Sequence, residues 1–175
     1  MKIGIDIDNV IANTFHELSD RFNDFMGRQM EPLEVIETMR NNKLKMWAYW
    51  FTAWKEGMLS SVSAIDGSAD TIREWYPYHE IKLVTSRMPI FRNQTIHWLK
   101  KHSIPYHELH HAKEKTKHTK AQDLELFIED NFEESEILAD YCDRVFLFDH
   151  PWNRRPSSKK NIIRVKNWEE IKSFL

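Results

Sequence analysis

Short apolar runs recur along the chain and alternate with stretches in which apolar residues return at helical spacing. The first run, residues 2–7, closes on Asp6-Ile7-Asp8, as a buried strand emptying into a polar loop does. Residues 81–84, 124–128, 145–148 and 162–165 are predicted as further strands. Candidate helices lie among them at 67–76, 90–102, 113–122, 133–141 and 168–175. Strand and helix in alternation predict an α/β fold, a Rossmann-like parallel sheet covered by helices on both faces. Ligands of such sheets bind at the carboxyl ends of the strands, where the loops converge.

One stretch breaks that rhythm. From residue 13 to about 66 the pattern is helical with no convincing strand, which predicts a small helical cap inserted after the first strand into a core of residues 1–12 and 67–175. With no internal repeat, no low-complexity linker and only four glycines, residues 1–175 read as a single domain. The segment Met46-Trp47-Ala48-Tyr49-Trp50-Phe51-Thr52-Ala53-Trp54 places Trp47, Trp50 or Phe51, Trp54 and Met58 on one side of a helix. Aromatic stripes of this kind usually pack a core. The sharper reading has one or two rings of Trp47, Trp50 and Trp54 facing the cleft to stack on a flat substrate group, and a homodimer contact is a third use for the stripe.

Composition narrows the class. A hydrophobic content of 41% in 175 residues is enough for a proper core, and 25 Lys and Arg nearly balance 27 Asp and Glu. No strong field of either sign calls for a nucleic acid polymer or a membrane surface, so a small molecule is the expected partner. No run approaches the ~18 apolar residues that span a bilayer, and the start of the chain has no apolar leader region. Cys142 is the single cysteine, which suits a reducing compartment and a cytoplasmic placement.

The candidate chemistry sits at predicted strand ends. Asp6 and Asp8 point to one side of the first strand's end, and such crowding of carboxylates calls for a hard divalent cation such as Mg2+, which takes oxygen ligands from carboxylates and substrate phosphate. Thr85-Ser86-Arg87 closes the second run with hydroxyls able to donate to a phosphoryl oxygen. The basic stretch Lys113-Glu114-Lys115-Thr116-Lys117 offers a lysine to neutralise a phosphoryl group. Phe127-Ile128-Glu129-Asp130-Asn131 closes another strand on adjacent acids that could complete a metal site begun at Asp6.

In this order, Asp6-x-Asp8, Thr85-Ser86, a lysine and Glu129-Asp130 resemble the four motifs of the haloacid-dehalogenase (HAD)-like superfamily, over the whole chain. The helical insert between the first two motifs, with Ile3-Gly4-Ile5-Asp6-Ile7-Asp8-Asn9 and Phe127-Ile128-Glu129-Asp130, is similar to the 5'(3')-deoxyribonucleotidases and their bacterial nucleotidase relatives. Phe148-Asp149-His150-Pro151-Trp152-Asn153 shares in that likeness. The resemblance implies a Mg2+-dependent phosphomonoesterase acting on nucleotides through an aspartyl-phosphate. Asp6 would be nucleophile and metal ligand. Asp8 would be general acid and base, its backbone carbonyl also touching the metal. Asp130 would complete the metal site, Thr85 and Ser86 would bind the phosphoryl group, and Glu129 would support the loop or a metal-bound water. For the lysine the match favours Lys115, with Lys117 and Lys120 as competitors.

Other readings are weighed against this one. A sugar phosphate or another small metabolite could replace the nucleotide, and the fold could persist as a catalytically inactive regulatory module, against which the presence of both Asp6 and Asp8 speaks. His107-Glu108-Leu109-His110-His111 satisfies the H-E-x-x-H zinc pattern, but Pro105 just upstream argues for a short strand or loop in place of the helix such a site requires. Arg40, Arg87 and Arg92 are surface or phosphate-contact candidates, with only Arg87 beside the expected cleft. His150, Trp152 and Asn153 would line its rim or merely form a turn, and Cys142 would be a buried structural thiol.

Overall fold

The computed structural model describes residues 1–174. Along the chain run β1 (Lys2–Ile5), α1 (Thr14–Met26), α2 (Pro32–Asn41), α3 (Lys43–Lys55), α4 (Ser68–Trp75), β2 (Glu80–Thr85), α5 (Arg92–Lys101), β3 (Glu108–His111), β4 (Leu126–Glu129), α6 (Phe132–Leu138), β5 (Arg144–Phe148), β6 (Ile162–Val165) and α7 (Trp168–Lys172). The strands form one six-stranded sheet in the order β3-β2-β1-β4-β5-β6, every pair parallel. The predicted α/β fold is the observed one.

Alternation along the strands shows why both faces are covered. Ile3 and Ile5, Ile81 and Leu83, Leu126 and Ile128, and Phe146 and Phe148 join one buried cluster with Ile72, Trp98 and Trp168 of α4, α5 and α7. The residues between them, Val84, Phe127 and Val145, join a second cluster with Leu138 of α6. Gly4 sits where the second face is tightest: a Cβ there would lie 2.4 Å from the Phe127 ring.

The order of the strands reverses direction at β1. From it the chain winds outward through β2 to β3, then returns to place β4 on the other flank and continues to β6. The crevice at such a switch point is the binding place of open parallel sheets. Asp6 leaves β1 and Asp130 follows β4 at this crevice.

Residues 13–66 carry three helices and a short 3-10 turn (Met58–Ser60), with an isolated bridge from Ala12 to Ala64 closing the excursion. Phe22, Met30, Val35, Met46 and Tyr49 form this segment's own buried cluster. Gly57, at φ +66°, ends α3 before Met58, so Met58 is buried in the main core and does not extend the aromatic stripe.

Two local predictions are corrected, and the reading of residues 107–111 as strand or loop agrees with the structure. Residues 113–122 make only a 3-10 turn at Lys117–Lys120, because Lys115 takes a left-handed backbone (φ +64°) that a helix cannot continue through. His107 to His111 is not helical: residues 108–111 are edge strand β3, and positions four apart in a strand lie ~13 Å from each other, too far to share zinc. The last helix ends at Lys172, and Leu175, the end of its predicted range, lies outside the described residues.

Candidate active site

Three chain segments meet at the mouth of β1 and β4. Asp6, Glu129 and Asp130 are all buried and each offers a carboxylate oxygen within 4.8 Å of the others'. The buried Lys117 ammonium stands among them, 2.9 Å from Asp6 Oδ1 and 2.8 Å from Glu129 Oε2. The left-handed Lys115 turns the chain so that Lys117 points inward, while Lys115 itself is exposed and only its backbone N–H is held, by the Glu134 carboxylate. Lys120 is exposed as well. The lysine at the carboxylates is therefore Lys117, not the expected Lys115.

Burial dominates the charges here. It pushes the Asp6 carboxyl up to about 8, with Lys117 pulling the other way and Glu129 and Asp8 adding repulsion. Burial likewise lifts Glu129 to about 7 and, together with the charge of Asp6, Asp130 to about 7. Burial alone would lower Lys117, but Asp6 and Glu129 together raise it.

Asp8, two residues on, is half-buried and lives in another field. Arg87 donates to it from Nε (3.1 Å to Oδ1, 2.9 Å to Oδ2) and Nη2 (2.8 Å to Oδ1), and the Thr14 hydroxyl donates to Oδ1. Burial would raise the Asp8 carboxyl, but the charge and hydrogen bonds of Arg87 outweigh it and hold the group below the usual carboxylate range.

Asp130 is fixed from several sides. Asn9, in the left-handed region at φ 60°, donates to its Oδ2 at 3.2 Å, Trp152 Nε1 donates to the same oxygen at 3.3 Å, and the Asn153 amide donates to its carbonyl at 2.7 Å. His150 bonds the Asn9 carbonyl (2.8 Å) and stacks on Trp152 with ring centres 4.4 Å apart. Glu129 Oε1 accepts from Asn131 N–H at 3.1 Å, tying the loop after β4.

At Asp8 opens a cavity of about 300 Å³, lined by Asp8, Asn9, Ser86 and Arg87 on its polar side and by apolar groups, among them Met39, Trp50 and Phe91; Asp6, Lys117, Glu129 and Asp130 do not line it. Ser86 is exposed to it, whereas Thr85 is fully buried with Oγ1 accepting from Arg87 N–H at 3.1 Å. Of the three tryptophans predicted for stacking, Trp50 alone lines the cavity. Trp47 (68% exposed) and Trp54 form an outward stripe with Phe51, while Met46, Tyr49 and Ala53 on the opposite side of α3 are buried.

The family model described as "5' nucleotidase, deoxy (Pyrimidine), cytosolic type C protein" matches residues 1–175. The chain belongs to this family. It is 27% identical over 180 residues to a nucleotidase of Clostridium acetobutylicum, covering 98% of this chain and 91% of that protein. A predicted phosphoglycolate phosphatase from Haemophilus somnus superposes with a TM-score of 0.67 at 12% identity, over 99% of this chain and 96% of that one. A HAD-superfamily hydrolase of subfamily IA from Geobacter sulfurreducens gives 0.62 at 15% identity, with the same coverage of 99% and 96%. Both structures share the fold, and the family places the chain among the phosphoric monoester hydrolases of nucleotidase type. No helix among the described residues is long and apolar enough to cross a membrane.

Sequence reasoning placed Arg87 beside the cleft without foreseeing its pairing with Asp8, passed over Thr14, and favoured Lys115 with Lys117 and Lys120 as competitors. A signal for Arg87 was present in its place just past Thr85 at a strand end. Nothing local announced Thr14, which meets Asp8 because α1 begins there. Arg92 donates to the Leu109 carbonyl and Arg40 is exposed, so neither lines the cavity. Cys142 is buried, and its thiol is pushed up to about 12 by burial.

Proposed function

We propose that the chain is a Mg2+-dependent 5'-nucleotidase that hydrolyses nucleoside or deoxynucleoside monophosphates through an aspartyl-phosphate on Asp6. The observation that carries the reading is the convergence of Asp6, Lys117, Glu129 and Asp130 from separate segments, with Asp6 two residues from Asp8, which lines an open cavity.

The donor set suits a divalent ion. Four carboxyl groups (Asp6, Asp8, Glu129, Asp130) face two cations (Lys117, Arg87), and burial holds protons on Asp6, Glu129 and Asp130 that a divalent cation would displace, leaving Asp6 ionised for attack and its charge offset. Oxygen donors in this crowding fit Mg2+. Asp6, Asp130 and the Asp8 backbone carbonyl would hold it, and when bound it supplies charge neutralisation and polarisation of a phosphoryl oxygen.

The side chains then divide the work. Asp6 attacks phosphorus, and the ester oxygen leaves with a proton from Asp8. Asp8 next takes a proton from the water that attacks the acyl phosphate and releases Asp6. Lys117 holds Asp6 in place and, with Ser86 and the Thr85 hydroxyl, offsets charge on the transferring group. Glu129 keeps Lys117 inward. The segment 13–66 acts as a cap whose Trp50, together with Phe91 from the turn before α5, receives a planar base, since stacking on aromatics contributes about 1–3 kcal/mol per base in other settings. The family description, with its deoxy and pyrimidine terms, supports the same substrate class. A sugar phosphate is the second reading, because the polar floor is indifferent to what carries the phosphate. A cytoplasmic enzyme, with a second copy as a further partner for the exposed stripe of α3, completes the reading.

The test is phosphate release from a panel of nucleoside monophosphates and sugar phosphates, with and without Mg2+. Release from nucleotides that requires the ion is expected. Preference for sugar phosphates would overturn the substrate, and no release from any ester would overturn the activity.

A further inference from the structure

Arg87 is held at every handle it has. Its backbone N–H donates to Thr85 Oγ1 at 3.1 Å and its carbonyl accepts from His111 Nδ1 at 2.8 Å. Its Nη1 donates to Thr95 Oγ1 at 3.2 Å, and the guanidinium carbon lies 6.0 Å from the centre of the Trp98 ring. The side chain is 2% exposed. What remains of the guanidinium, Nε and Nη2, is aimed at one group, the Asp8 carboxylate.

The two oxygens of that carboxylate are treated unequally. Oδ1 receives Nε, Nη2 and the Thr14 hydroxyl, whereas Oδ2 receives only the shared Nε–H at 2.9 Å. A carboxylate has about four lone-pair sites, two per oxygen, so three donors saturate Oδ1 and leave Oδ2 with acceptor capacity. We propose that Arg87 is a positioning residue for Asp8, and that its clamp makes Oδ2 the atom that carries the proton in catalysis.

This rests on the acid–base role of Asp8 given above. In the first step the proton leaves Oδ2 for the ester oxygen, which keeps the electron pair of the breaking P–O bond. In the second, a water proton passes to Oδ2 while the water oxygen bonds to phosphorus and the Asp6 carboxylate departs with the electrons of the acyl-phosphate bond. A lysine at position 87 would keep the charge but lose the planar fork that separates the two oxygens. The clamp therefore acts through geometry, and its loss is felt most where the leaving group most needs a proton.

Leaving-group dependence provides the readout. kcat/KM is measured for a nucleoside 5'-monophosphate, whose alkoxide leaves poorly, and for p-nitrophenyl phosphate, whose phenoxide leaves with little help, in wild type, Arg87→Lys, Thr95→Val and Asp8→Asn, each checked by thermal melting. Arg87→Lys is expected to lower the nucleotide value by about 10²-fold, the low end of general acid–base contributions, and the aryl value by only a few-fold. Thr95→Val, which loosens the clamp without removing it, should move the ratio in the same direction by less. An equal fall on both substrates in folded variants, or no fall, overturns the proposal. If Asp8→Asn is sensitive to the leaving group and neither clamp variant is, the inference alone fails. If Asp8→Asn itself is insensitive, the acid–base reading fails and the clamp falls with it.

Discussion

The floor and the roof of the cleft are built on opposite terms. Below, the polar lining at Asp8 and Arg87 adjoins the buried ionisable groups Asp6, Lys117, Glu129 and Asp130, with Lys117 within 3 Å of Asp6 and Glu129. Above, Met39, Trp50, Leu59 and Phe91 present apolar surface without charge. Buried charges tolerate little displacement, because an unpaired one is costly, so the floor is rigid in type and place. An apolar roof asks only for shape and stacking, and many residues could supply it. Catalytic power should therefore concentrate below and selectivity above.

The largest effect expected is from Asp6→Asn, which removes the nucleophile and should lower kcat by at least about 10³-fold in a steady-state phosphate assay. Next comes Lys117→Met, expected to cost about 10²–10³ in kcat, the scale of losing a donor to developing charge, whereas Lys115→Met should stay near wild type. Equal losses at the two lysines would erase the distinction drawn from their burial. On the roof, Trp50→Ala should weaken kcat/KM for nucleotides by roughly 1–3 kcal/mol while sparing p-nitrophenyl phosphate, a smaller ester.

Stability sharpens the contrast further. Without a divalent ion, the native state of the floor holds protons that the unfolded chain has released: Asp6 stays protonated up to about 8 and Glu129 and Asp130 up to about 7, against ordinary carboxyl values near 4. The folded state then binds more protons across that window, so the metal-free protein should lose stability as pH rises from about 4 to 8. Added Mg2+ should raise Tm more at pH 8.5 than at pH 5.5. A melting temperature flat in pH, with or without the ion, would argue against this arrangement of carboxyls. The smallest effect belongs to Trp47→Ser on the outer face of α3, expected to change stability by no more than about 0.5 kcal/mol and activity not at all.

How much of this was legible in the sequence follows the same division. The strands of the sheet announce themselves because buried parallel strands are continuous apolar runs, and Asp6, Asp8 and Asp130 because acids at strand ends are conspicuous. The edge strand β3, half-polar with Glu108, His110 and His111, gives a weak signal and could be read only as strand or loop. Lys117 was hidden by its neighbours: five positions carry three lysines, and the left-handed turn at Lys115 that selects among them is a backbone feature without a glycine to mark it. On α3, helical periodicity groups Trp47, Trp50 and Trp54 loosely, but both sides of the helix are apolar, so the pattern cannot tell the side turned to the cleft from the side turned outward.

The central claim is that Asp6 becomes covalently phosphorylated during turnover at this floor. Acid quenching during turnover of a nucleoside monophosphate with Mg2+, followed by peptide mass spectrometry, tests it directly. The account predicts one phosphoryl group on the peptide containing Asp6, absent in Asp6→Asn and when Mg2+ is withheld. Steady hydrolysis with the phosphoryl group on another residue would contradict it.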